Sequence, residues 1–149
     1  MTAIVESIEI SRPPEEVFSY MTDPSRLTEW QESLVSSRLE GGGQPTVGSR
    51  VTQTRRIGRG ERTMTMEVTE HNPPVRFGFR GIDGPVRAIG TGSVEPLDDG
   101  ARSRVTIEID FEGHGIGKLL VPLVVRRQAR GELPKNQQRL KERLESGAA

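Results

Sequence analysis

Residues 11–30 read SRPPEEVFSYMTDPSRLTEW, and they hold two helix starts in close succession. Ser11 precedes Pro13, Pro14, Glu15 and Glu16, which puts a hydroxyl near the cap, prolines where no amide donor is needed, and acids in the first turn. Val17, Phe18 and Met21 then give that helix an apolar face. Asp23-Pro24 restarts the pattern: the aspartate caps, the proline takes the first helical position, and Leu27 and Trp30 fall three apart on one side. The stretch is therefore two short helices rather than one, and a broken pair of this kind closes over something.

Upstream, IVESIEI (4–10) reads as a strand with Ile4, Ile8 and Ile10 on one parity and Glu6 the exception among them. Downstream, SLVSSRLE leads into GGGQPTVG, a glycine-rich connection. Strand signals separated by turn chemistry follow. SRVTQTRRIGR turns at Arg59-Gly60-Glu61 into RTMTMEVTEH, where Met64, Met66 and Val68 alternate with Thr63, Thr65 and Glu67. Asn72-Pro73-Pro74 breaks the run, VRFGFRGI carries Val75, Phe77 and Phe79 in phase, Asp83-Gly84 turns into VRAIGTGSVEPL, and Asp98-Asp99-Gly100 signals the next hairpin. ARSRVTIEIDFEG alternates most cleanly, with Val105, Ile107, Ile109 and Phe111 against Arg104, Thr106, Glu108 and Asp110, as in an antiparallel meander with one wet face. From Ile116 to Leu144 only Gly131 and Pro134 interrupt, which predicts one helix of roughly 40 Å at about 1.5 Å per residue, kinked near Pro134. Strand, two short helices, about six strands and a long helix make an α+β chain with helices on one side of a curved sheet.

The 149 residues fit one domain, 1–149, long enough to bury a real core. Lys plus Arg and Asp plus Glu are both 21, so nothing in the overall balance argues for nucleic acid or an anionic membrane. Cysteine is absent, which excludes disulfides and thiolate metal sites and fits a reducing cytoplasm. MTAIVESIEI shows neither a positively charged leader nor a long apolar segment, so no signal peptide and no membrane span is expected.

Four segments, ISRPPEEVFSYMTDPSRLTEW, VTEHNPPVRFGFR, PLDDGARSRVTIEIDFEG and LPKNQQRLKERLES, resemble the START-like (SRPBCC) superfamily of polyketide cyclase/dehydrase and lipid transport proteins across essentially the whole chain. The resemblance implies a helix-grip fold, in which about seven antiparallel strands wrap a long C-terminal helix and the two short helices complete a cup. It implies a cavity between sheet and helix for a small hydrophobic or amphipathic ligand. It carries over no catalytic residue, because cyclases, aromatases, hormone binders and lipid carriers share the fold.

Residue by residue, Met64, Met66, Val68, Phe77, Phe79, Val105, Ile107 and Phe111 face Leu119, Leu120 and Leu123, either as a solid core or as cavity walls. With Trp30, which either stacks on a ligand or plugs the core, the expected ligand contacts are Met64, Met66, Phe77, Phe79, Ile107, Phe111, Leu119, Leu120 and Leu123. A cavity of about 300 Å³ or more is expected. His71 and His114 read as solvated loop residues, and two isolated histidines offer no metal site. No cofactor is expected. Gly90-Thr91-Gly92-Ser93 lies within a strand and lacks the strand-to-helix turn of a nucleophile elbow, and GGGQPTVG lacks the context of a phosphate loop. Gln53 and Arg55, in phase with Val51 and Ile57, and Tyr20 are the polar candidates for the cavity, although residues of these types more often face water. An inward Arg55 would select an anionic or carbonyl-bearing ligand. On the long helix Arg126, Arg130 and Gln137 share the stripe of Leu133, Leu140 and Leu144, and a phase shift at Gly131 and Pro134 would leave the arginines solvated at the cavity rim. In LLVPLVV (119–125) the leucines take the cup side, so Val121, Val124 and Val125 turn outward, to be covered either within the chain, by the loop around Gly41 to Val47 or a sheet edge, or by a second copy in a homodimer.

Overall fold

The computed structural model describes residues 3–147, and the alternating segments become one antiparallel sheet. β1 (Ile4–Ile10), β2 (Leu34–Leu39), β3 (Arg50–Ile57), β4 (Gly60–Asn72), β5 (Arg76–Gly81), β6 (Val86–Leu97) and β7 (Arg102–Gly113) lie in the order β1-β7-β6-β5-β4-β3-β2. β2 falls where the sequence pattern names no strand. Its LVSSRL is polar at the centre, and pairing with β3, with a bulge between Leu34 and Ser36, makes it one. The β3–β4 hairpin turns at Gly58-Arg59, one residue earlier than expected.

α1 (Pro14–Met21) carries Glu15 and Glu16 in its first turn. Ser11 is not its cap. Pro13 holds that position without a side-chain hydrogen bond, and the Ser11 amide donates to Glu145 Oε2 at 2.8 Å instead. The second start forms as a 3₁₀ helix (Pro24–Glu29), with Asp23 Oδ1 accepting from the Ser25 amide. Tyr20, buried in α1, points away from the sheet's hollow: its hydroxyl donates to Glu29 Oε1 at 3.0 Å, and Arg143 Nε donates to the same hydroxyl at 3.2 Å. The two short helices are thus tied to each other and to the C-terminal helix.

That helix runs as α2 (Gly117–Leu120), a π-helical turn (Val121–Val125) and α3 (Arg126–Glu145). Its irregular turn contains Pro122, whereas Pro134 lies inside α3, which continues through it. Gly117 fixes its rotation. A β-carbon there would stand 1.7 Å from the Pro85 carbonyl oxygen, so position 117 faces the sheet, and Val121 and Val125 follow it at four-residue intervals, 4% and 6% exposed. Ile116, Leu119 and Leu123 are turned out, 58%, 64% and 70% exposed. This reverses the expected assignment. Val121 and Val125 pack on Val86 within the chain, so these two valines do not turn outward, and Val124 is half-buried.

The core divides. Ile10, Val17, Phe18, Met21, Val105, Leu140 and Leu144 fill the space between α1, α3 and the β1–β7 edge, while Val51, Met64 and Met66 form a second cluster on β3 and β4, and Val86, Val121 and Val125 a third. Gln137, 1% exposed, donates from Nε2 to the Glu6 carbonyl at 3.0 Å, and Arg126 is buried against Asp110. Of the two arginines read as solvated, only Arg130 is.

Candidate functional site

Between these clusters lies a cavity of about 220 Å³, smaller than the roughly 300 Å³ expected of a ligand pocket. Its floor is sheet. Val51, Gln53, Arg55 and Ile57 of β3 all line it, as do Met64, Met66 and Val68 of β4. Phe77 and Phe79 of β5 stack at 6.4 Å between ring centroids. Their rings fit because the register sets Phe77 opposite Gly92 and Phe79 opposite Gly90 of β6. A β-carbon at Gly92 would come within 2.2 Å of the Phe77 ring, and one at Gly90 within 2.6 Å of Phe79. The glycines that the sequence offers as an elbow look-alike are seats for aromatic rings.

Ile107, Phe111 and Trp30 complete the apolar wall, and Val125, Ala129 and Leu133 supply the helix side. Leu119, Leu120 and Leu123 do not line the cavity, because the contact at Gly117 rotates Leu119 and Leu123 into solvent and sets Leu120 against the Val86 cluster. Trp30 is 4% exposed and its Nε1 is buried without a hydrogen-bond partner. It therefore serves both packing and wall.

His71 is another correction. The β4–β5 register shifts between Val68 and Glu70, and this bulge at Thr69 returns the odd-numbered His71 to the face that Met64, Met66 and Val68 occupy. His71 closes β4, lines the cavity, and sets its ring 5.5 Å from that of Phe18. A more open groove outside shares Thr22, Pro24, Pro45 and His71 with the cavity, so these four form a rim between the two.

The polar element is Arg55. Nη1 donates to Ser33 Oγ at 3.0 Å, and Nη2 donates to Gln31 Oε1 at 2.7 Å and to Gln53 Oε1 at 3.4 Å. None of these partners is charged. Removal from water pushes the guanidinium down to about 10, and the negative charge of Glu132 on α3 opposes that shift only in part. At neutral pH Arg55 is a cation, and it lines the cavity. Glu132, Gln128 and Asn136 are further polar groups in the wall. Tyr20 is not among them. Burial above all raises its phenol pKa; the hydrogen bond from Arg143 opposes the rise and the one to Glu29 adds to it.

A cavity of this composition orients an apolar body and offers one fixed cation for an oxygen. A family model for polyketide cyclase / dehydrase and lipid transport matches residues 1–145, and the chain belongs to that family. Solved structures that share the fold include TTHA0849 from Thermus thermophilus, with 19% identity, 99% of each chain covered and a TM-score of 0.79. DR_A0006 from Deinococcus radiodurans has 17% identity, 99% coverage of each chain and a TM-score of 0.73. The Zhui aromatase/cyclase from Streptomyces has 14% identity over 95% of this chain and 94% of that one, with a TM-score of 0.74. Comparison with curated protein sequences gives no match.

Proposed function

We propose that this member of the polyketide cyclase / dehydrase and lipid transport family binds a small amphipathic molecule non-covalently. The apolar body lies on Met64, Met66, Phe77 and Phe79, and a carboxylate or carbonyl oxygen meets Arg55. One observation carries this reading: a cation whose hydrogen-bond partners are all neutral, inside an otherwise mainly apolar cavity. The negative charge of Glu132 offsets only part of the cost of burying it, and an anionic ligand supplies a further counter-charge. Calorimetric titration with decanoate, decanol and decylammonium tests it, since the tail is constant and the head changes sign. Decanoate is expected to bind at least about tenfold tighter than decanol, the difference that one charge-assisted hydrogen bond supplies, and decylammonium weakest. Arg55→Met should abolish the preference. Equal affinities, or the same ranking in Arg55→Met, would refute the reading.

A second reading, an enzyme resembling the polyketide cyclases and dehydrases, is favoured by one fact. His71 and Glu132 line the same cavity as Arg55, so groups able to move protons share space with a cation able to polarise a carbonyl. In that case the protein converts a poly-β-ketoacyl thioester to a cyclised product followed by mass spectrometry. His71→Asn would stop turnover and leave decanoate binding intact, and Glu132→Gln, which removes a negative charge near Arg55, would stop turnover without weakening that binding.

A further inference from the structure

We infer that the outer face of the first turns of the C-terminal helix docks on a bilayer surface carrying anionic lipid. Ile116, Leu119 and Leu123 succeed one another at intervals of three and four, 58%, 64% and 70% exposed, with Pro122 exposed beside them. Apolar side chains in such a row form a stripe on one side of a helix. Cations border it. Lys118 adjoins Leu119, Arg127 follows Leu123 by one turn, and Arg130 lies beyond, all exposed. From residue 113 to 131 the chain has four Lys or Arg and no acid, and only Arg126 of the four turns inward, onto Asp110.

The surrounding loops do not cancel this charge. The β3–β4 turn abuts the same segment, since a β-carbon on Gly58 would lie 3.4 Å from Val124 Cγ1, and it adds the exposed Arg59. The acids in the loops at this end of the sheet are Glu61, Asp83 and Glu112, fewer than the four exposed cations Lys118, Arg127, Arg130 and Arg59. The zero net charge of the whole chain hides this local separation.

A leucine-centred stripe bordered by lysine and arginine matches a headgroup boundary, where the apolar residues enter the acyl layer and the cations meet lipid phosphates. A two-fold dimer through the same stripe would bring Lys118 and Arg127 against their own copies, and the apolar centre has no counterpart on a nucleic-acid backbone. Docking here is shallow, since among the described residues no helix is long and apolar enough to cross a membrane. The face also adjoins the cavity. Gln128, next after Arg127, lines it and clasps the β3–β4 turn, donating from Nε2 to the Arg56 carbonyl at 2.8 Å and accepting from the Gly58 amide at 2.9 Å. Binding to the bilayer does not depend on what fills the cavity.

The test is co-sedimentation with vesicles of phosphatidylcholine alone and of phosphatidylcholine mixed with phosphatidylglycerol. The protein should pellet with the mixed vesicles, weakly or not at all with the neutral ones, and less as salt rises. Leu119→Ser with Leu123→Ser, and separately Lys118→Glu with Arg127→Glu, should each weaken binding by roughly tenfold or more, while Val5→Ser at the exposed β1 position should leave it unchanged. All five substitutions are at exposed positions, and circular dichroism verifies that each variant is folded. No pelleting with anionic vesicles, or equal pelleting by wild type and both double variants, overturns the inference. So does sedimentation equilibrium showing a dimer that the double leucine variant dissolves, which assigns the face to a second copy.

Discussion

Arg55 shows how one residue joins stability to function. Its pKa lies below that of a free guanidinium because folding disfavours the charged form. That cost is present throughout the range below about pH 10 and disappears as pH rises through it. Arg55→Met keeps length and apolar bulk, so its unfolding free energy in urea at neutral pH is expected to rise, by on the order of 1 to 3 kcal/mol. A fall would mean that the hydrogen bonds to Gln31, Ser33 and Gln53 outweigh the desolvation. Trp30 poses the complementary case. Trp30→Phe loses volume but removes a buried donor that has no partner, so a cost of no more than about 1 kcal/mol is expected, against the 3 to 5 kcal/mol typical of deleting a whole buried aromatic side chain. The parity that places Arg55 and Gln53 with Val51 and Ile57 is legible in the sequence, yet residue type argues the other way. Polar side chains on an inner face look like surface until the void they line is known. His71 is not legible at all, because a bulge leaves no mark in hydrophobic periodicity.

At the level of elements, alternation announces β1 and β3 to β7, since one face of each meets water and the other does not. The rotation of the C-terminal helix escapes the same reading because LLVPLVV is apolar on every side, and periodicity cannot orient a segment that has no polar face. The available signal is Gly117: a residue without a side chain at the start of a helix allows backbone contact and so marks the buried side. Gly92 carries the same lesson into the sheet. Gly92→Ala should destabilise by about 1 to 3 kcal/mol, because its β-carbon displaces the Phe77 ring, and the ring's movement into the cavity should weaken decanoate binding. Gly131→Ala, with nothing within 4 Å of the new carbon in the interior of α3, should instead stabilise by roughly 0.5 to 1 kcal/mol. Thermal unfolding of the two variants side by side separates crowding from chain entropy, and equal shifts would show that Phe77 yields freely.

Across the whole molecule, acid sensitivity follows from the carboxylates that tie distant segments together. Glu145 is held below its ordinary 4.5 by the Ser11 amide and then by Lys141, and Asp110 below its ordinary 3.8 by the Phe111 amide and by Arg126. For Glu29, desolvation pushes upward but the hydrogen bonds from Arg26 and Tyr20 and the charges of Arg26 and Arg143 prevail, so it too lies below 4.5. Each pKa is lower folded than unfolded, so the stabilisation is complete above the ordinary values and is lost as pH falls through and below them. Melting temperature should be insensitive to these groups between about pH 6 and 8 and should fall on acidification below about 4.5. A melting temperature unchanged at about pH 3 would remove these contacts as determinants. Glu145 and Arg143 secure the far end of the same helix whose near end rests on Pro85. Between those anchors, the π-helical turn carries one residue more than a regular helix needs. Removing a single residue from Val121–Val125 would let that turn close into regular α-helix, so with Gly117 pinned everything beyond would keep its facing. Removing one from the regular turns of α3 between Arg126 and Arg130 would instead swing Leu133, Gln137 and Leu140 off the sheet by about 100° around the axis. The separation of a cavity side from a solvent side thus tolerates a change of length at one turn and at no other between the anchors.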